Sequence, residues 1–217
     1  MNQQHPNPHP PTFPKAVSFF DGQNLFYSAK RAFGYGYLNY DPKKLAQQIC
    51  DNQGWQLVGV QFYTGIPDAT DHRSYFWRAK FNQMKRDGVI VFSRELRYQE
   101  EEVLLPDGQT HLVRVGKEKG IDVRIAIDVI RLAHQKVYDV AIIFSQDQDL
   151  SEVAKEIRII AQEQARWIKI ASAFPCASNP CVSRGINQTD WIRIYKPTYD
   201  LCIDPRDYRP KKPPSTP

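Results

Sequence analysis

Six short apolar runs punctuate the chain: Ala16–Phe20, Leu57–Tyr63, Val89–Phe92, Val140–Phe144, Ile168–Ala171 and Ile192–Tyr195. Several are apolar without alternation, the pattern of strands covered on both faces. Longer amphipathic stretches between them read as helices. These are Leu25–Phe33, one opening at Asp41-Pro42, and stretches near 71–87, 121–135 and 150–165. At Asp41-Pro42 the acid can cap the helix and proline suits its first turn. In the last stretch Leu150, Val153, Ile157 and Ile160 recur at helical spacing. Strand–helix alternation predicts an α/β fold, a mostly parallel sheet of about five to six strands flanked by helices with right-handed crossovers. Residues 95–115 break the rhythm and read as an inserted β-hairpin turning at Pro106-Asp107-Gly108.

The ends differ from this core. Residues 1–14 are rich in Pro, His and Asn, and residues 204–217 end in RPKKPPSTP. Neither buries enough apolar surface to order itself, so both read as disordered tails around one domain, 15–203. The N-terminus has no secretory apolar core, and no run approaches the about 20 residues that span a membrane. The expectation is a soluble cytoplasmic protein without a membrane partner. With 41% hydrophobic and 24% charged residues, the composition is that of a globular domain. The net charge of +5 suits a polyanionic partner, and equally suits mere solubility. Cys50, Cys176, Cys181 and Cys202 lack zinc-ligand spacing. Free thiols are expected, although Cys176 and Cys181 could pair if oxidised.

The candidate chemistry lies in carboxylates at strand ends. Asp21 follows the run AVSFF, and Asp147 and Asp149 follow VAIIFSQ. Ligands of open α/β sheets bind beyond the carboxyl ends of the strands, where strand order reverses. If these two strands are neighbours, about 5 Å apart, their terminal acids converge. Asp122 stands in KEKGIDVRIAID and can equally be a first-turn acid favoured by the helix dipole. Asp128 points about 120° away from Asp122 on the same helix and reads as a supporting or structural residue. Asp149 can cap the helix at Leu150, and Asn24 the helix at Leu25. Carboxylates crowded together raise one another's pKa, a conflict that a hard divalent cation such as Mg²⁺ or Mn²⁺ resolves. Such an ion can also activate water in a phosphodiester displacement.

Together FFDGQN at 19–24, EKGIDVRIAID at 118–128 and FSQDQDL at 144–150 resemble the three motifs of the NYN domain, a branch of the PIN-like nuclease superfamily, and most closely its LabA-like members. The resemblance covers nearly all of 15–196. It implies a Rossmann-like PIN fold and metal-dependent endonucleolytic cleavage of RNA. It also implies Asp21, Asp122 and Asp147 as principal catalytic and metal ligands, with Asp149 close by, and Asn24 as the asparagine of the first motif. Two departures stand out: Gln146 replaces the usual glycine of the last motif, and FPCASNPCVSRGIN at 174–187 is unlike a generic member.

Substrate contacts are sought among Asn24, Ser145 and nearby basic residues. Lys119 and Arg124 are the first candidates, with Arg114 and Lys117 beside them. Arg73, Arg78, Lys80, Lys85, Arg86, Arg94 and Arg97 could also reach phosphates, which position a nucleic acid without reading its sequence. Among the aromatics, Tyr35 and Tyr37 are singled out for stacking on bases. The leading expectation is an endoribonuclease acting on single-stranded or structured RNA, with a homo-oligomer as a further candidate assembly. The alternative is an RNA-binding regulatory module that keeps the fold without the chemistry. A phosphatase or nucleotide-binding protein is a third reading, weakened by the lack of a GxxxxGK loop.

Overall fold

Continuous apolar runs become the inner strands of one six-stranded sheet. The fold is taken from a computed structural model that describes residues 8–71, 73–104, 109–178 and 180–208. In chain order the strands are β1 (Lys15–Asp21), β2 (Gln56–Ile66), β3 (Ile90–Glu95), β4 (Arg97–Leu104), β5 (Thr110–Lys117), β6 (Val140–Phe144), β7 (Lys169–Cys176) and β8 (Asp190–Tyr195). The helices are α1 (Gly22–Phe33), α2 (Pro42–Gln53), α3 (Ser74–Arg86), α4 (Ile121–His134), α5 (Ser151–Glu163) and α6 (Lys196–Asp200). A 3-10 turn over Gln148–Leu150 leads into α5.

The sheet order is β3-β2-β1-β6-β7-β8, with every pair parallel. The chain builds outward from β1 to β3, then returns to lay β6 against the free side of β1. Strand order therefore reverses between β1 and β6, where Phe20 pairs with Phe144 and their rings stack at 3.9 Å. A cleft opens beyond such a reversal, because the following helices leave to opposite faces.

Each face of the sheet has its own core. One is built from Leu25, Leu45, Ile49, Phe62, Phe81 and Tyr199, under α1, α2, α3 and α6. The other comprises Phe19, Ile125, Val129, Ile143, Ile157 and Ile160, under α4 and α5. The predicted cap at α2 forms, with Asp41 Oδ1 accepting the amides of Lys43 and Lys44. The hairpin forms a separate antiparallel sheet of β4 and β5; its predicted turn residues Pro106, Asp107 and Gly108 lie outside the described residues.

Two expectations are corrected. Asp204–Tyr208, assigned to the C-terminal tail, is held on the fold by a polar clasp. Lys80 and Asp204, with side chains 1% and 4% exposed, form a buried ion pair, and Arg206 bridges Asp204, Asp41 and Asp87. Composition hid this because the partners lie far away in sequence. Cys176 and Cys181 are disulfide-bonded rather than free, while Cys50 and Cys202 are buried thiols. The short α6 also goes beyond the predicted elements. Among the described residues, no helix is long and apolar enough to cross a membrane.

Candidate active site

Asp21 ends β1 and caps α1, its Oδ1 accepting the Asn24 amide at 3.0 Å. Gly22 follows because α1 starts against β2: a Cβ there would stand 2.6 Å from Phe62 Cζ and 3.0 Å from the Tyr63 carbonyl oxygen. Asn24 Oδ1 accepts the Gln146 amide at 3.0 Å, tying the first motif to the last. Asn24 therefore does not cap α1; Asp21 does.

Ser145, aligned with Asp21 across the strand pair, is buried. Its hydroxyl donates to Asp21 Oδ2 and accepts the Asp147 amide, both at 3.1 Å. One oxygen thus spaces the two acids. Asp147 Oδ1 in turn accepts the Asp149 amide at 3.1 Å and caps the 3-10 turn. The capping expected of Asp149 belongs to Asp147, and Asp149 is exposed, outside the cleft lining.

Asp122 enters through Gly120, the last residue before α4. Gly120 has φ of 69°, and a Cβ there would stand 2.7 Å from the Arg94 guanidinium. The turn delivers Asp122 in the first turn of α4. It also delivers Glu118, whose carboxylate accepts the Gly65 amide and, at 3.2 Å, the Thr64 hydroxyl.

Asp21, Glu118, Asp122 and Asp147 therefore line one cleft of about 370 Å³, with Gln23, Asn24, Tyr27 and Arg31 on its α1 side. Burial pushes the Asp21 carboxyl up to about 7; the Asn24 amide opposes this, and the nearby charges of Glu118 and Asp147 add to it. Burial also raises Glu118, against its bonds from Gly65 and Thr64 and with help from the Asp122 charge. Among the described residues, no three acidic, histidine or cysteine side chains stand as a ready-made ion cage. The donor set is nonetheless all oxygen and rich in negative charge, which suits a hard divalent cation that keeps several waters.

Other expected site residues lie elsewhere. Asp128 is buried in a clamp, bonded to Arg124 at 2.8 Å, Arg131 at 2.7 Å and Tyr63 at 3.0 Å. Arg124 is committed to that clamp and to the Phe92 ring. Lys119 is exposed beside the cleft, between two lining residues. Lys80 belongs to the clasp. Tyr35 bonds Asp200 and stacks on Tyr199, whereas Tyr37 is 66% exposed.

Sequence reading passed over Glu118, although its motif was recognised, and singled out none of Gln23, Tyr27 and Arg31. The last three recur at four-residue spacing, so one face of α1 continues the line set by Asp21. Gln146, where the family pattern has glycine, is a brace. Its Oε1 accepts the Ser28 hydroxyl at 2.7 Å, and its Nε2 donates to the Arg184 carbonyl at 2.6 Å. Gln148 bonds Gly185 and Asn187 of the same segment. The two departures from the family pattern are thus one contact: Gln146 holds the unusual 174–187 segment against the loop that carries Asp147.

Comparison with known proteins bears on the family and the fold. The chain is 23% identical over 140 residues to the low amplitude and bright protein LabA of Synechococcus elongatus, a match covering 64% of this chain and 66% of LabA. The crystal structure of a protein of unknown function from Vibrio parahaemolyticus shares the fold, with a TM-score of 0.50 at 18% identity over 84% of this chain and 94% of that one. The NYN domain matches residues 15–163, well over half of the sequence. The chain belongs to the NYN domain family of the PIN-like nuclease superfamily.

Proposed function

We propose that the protein is a metal-dependent endoribonuclease that hydrolyses RNA phosphodiester bonds in the cleft between β1 and β6. The observation that carries this reading is the meeting of Asp21, Glu118, Asp122 and Asp147 at the reversal of strand order. Asp149 is an outer member at most. Bound there, Mg²⁺ or Mn²⁺ would supply a Lewis acid for the phosphate and a lowered pKa for an attacking water.

The chain's own groups prepare the place. Ser145 fixes the spacing of Asp21 and Asp147, and the Asn24 bond to Gln146 fixes the loop between them. Glu118 is oriented by Thr64 and Gly65. Arg31, held at 3.1 Å to Ser28, stands at the rim where a phosphate would pass. Asp21 is shared between its acid and its carboxylate near neutral pH, so a cation would bind in competition with a proton.

The test is cleavage of an end-labelled RNA by purified protein with Mn²⁺ or Mg²⁺. Products should vanish with EDTA and with Asp147→Asn. Products that persist through both would refute the mechanism. RNA binding with no product under either metal would make the protein a binding module of the same fold.

A further inference from the structure

A second groove, of about 620 Å³, runs on from the acidic cleft. Gln23 and Tyr27 line both, so the two are continuous. Their chemistry is opposite. The cleft holds four carboxylates, whereas the groove is lined by Arg73 and Arg114 and by no acid among its described residues. Its walls are aromatic: Tyr27 is 47% exposed, Tyr37 is 66% exposed, and Phe76 and Tyr98 are half-buried. Arg114 lies over the Tyr98 ring at 4.3 Å, and Arg73 keeps 61% of its side chain in solvent while bonded to Asp71.

We infer that this groove is a track for a single strand of nucleic acid, leading its backbone into the acidic cleft. The inference rests on the ribonuclease reading and adds the form of the substrate. The exposed rings of Tyr27 and Tyr37 offer faces to unpaired bases, while Arg73 and Arg114, the latter seated on Tyr98, stand beside them for the phosphates. A duplex keeps its base faces stacked inside and offers nothing to Tyr37 or Tyr98. The hairpin thereby gains a purpose, since β4 and β5 bring Tyr98 and Arg114 to the far wall of the groove. Specificity along the track is for strandedness rather than for sequence, because every base has a face to stack.

The test measures binding of a fluorescent oligouridine by anisotropy, in EDTA so that no cleavage occurs. Tyr37→Ala and Tyr98→Ala should each weaken binding roughly fivefold or more. Arg114→Ala should weaken it and lower the salt slope by about 1. Tyr98→Phe should bind like the wild type, and an equal length of duplex should compete poorly. Tyr37 is so exposed that its removal leaves the fold intact, which a thermal melt checks. Wild-type affinity in both alanine variants, or full competition by duplex, would overturn the track. Tyrosine-dependent binding without cleavage in Mn²⁺ would sink the nuclease reading and keep the track. Cleavage with affinity indifferent to both tyrosines would do the reverse.

Discussion

Asp21 is a buried residue and Asp204 one whose side chain is buried, at 4% exposure, and their surroundings push them in opposite directions. At Asp204 burial raises the carboxyl, but Arg206, Tyr208 and Lys80 outweigh it and hold the group below its usual range. At Asp21 burial raises the carboxyl to about 7, with Glu118 and Asp147 adding repulsion. The clasp brings its own cations to its acids. The cleft gathers acids around a space and leaves much of their charge unanswered, a cost that structure alone has no reason to bear. Burial does not distinguish a structural acid from a functional one here; the neighbours do.

The largest effect is expected from Asp21→Asn. The amide keeps the cap on Asn24 and removes the buried charge. Cleavage should fall at least about a hundredfold, while metal-free protein at pH 8 gains up to about 4 kcal/mol in denaturant unfolding, from the rise to about 7. A loss of both activity and stability would mean that the acid is structural. Lys80→Met attacks the other side of the comparison. It removes an ammonium that burial itself disfavours and leaves Asp204 with Arg206 and Tyr208, so about 2 kcal/mol should be lost. A loss below about 1 kcal/mol would show the pair to be incidental.

The two acids also respond oppositely to pH. Asp21 titrates higher in the fold than in the unfolded chain, so its stabilising contribution is complete below pH 3.8 and is lost as pH rises towards 7. Asp204 titrates lower, so its contribution is complete above the ordinary carboxylate range and is lost on acidification. Thermal melts in EDTA between pH 4 and pH 8 should therefore slope downwards for the wild type and less so for Asp21→Asn. Parallel curves would refute the assignment. The smallest effect belongs to Gln146→Gly, which gives back the family residue and releases the 174–187 segment. A loss of about 1 kcal/mol and a fewfold change in cleavage rate are expected. An unchanged rate would show that the brace does not reach Asp147.

Much of this was legible in the sequence. Strands buried on both faces announce themselves as unbroken apolar runs, and the hairpin stood out because it broke the rhythm. Asp21 and Asp147 were legible because motif and strand end coincide, and Asp122 because its motif opens a helix. Glu118 was hidden: in VGKEKGID it reads as one charge among lysines, and only Gly65 and Thr64, on a strand far away in sequence, bury it. The cap expected of Asp149 falls to Asp147, because capping depends on which carboxylate the backbone turn presents. Arg124 looked available until Asp128 was found beneath it. Tyr35 and Tyr37 were equivalent on paper, and Asp200 and Tyr199 separate them.

The hairpin is rooted in the sheet at two points. Leu96 donates its amide to the Ile66 carbonyl at 2.9 Å, and Glu118, the residue after β5, grips Thr64 and Gly65. Both roots hold the same end of β2. The segment between them can thus be treated as a cassette: its strands can be lengthened, recoded or grafted from a relative while the splice points stay put. Cutting past Glu118 would take a cleft acid with it. For protein engineers, the boundary between the exchangeable hairpin and the acidic cleft runs between Lys117 and Glu118.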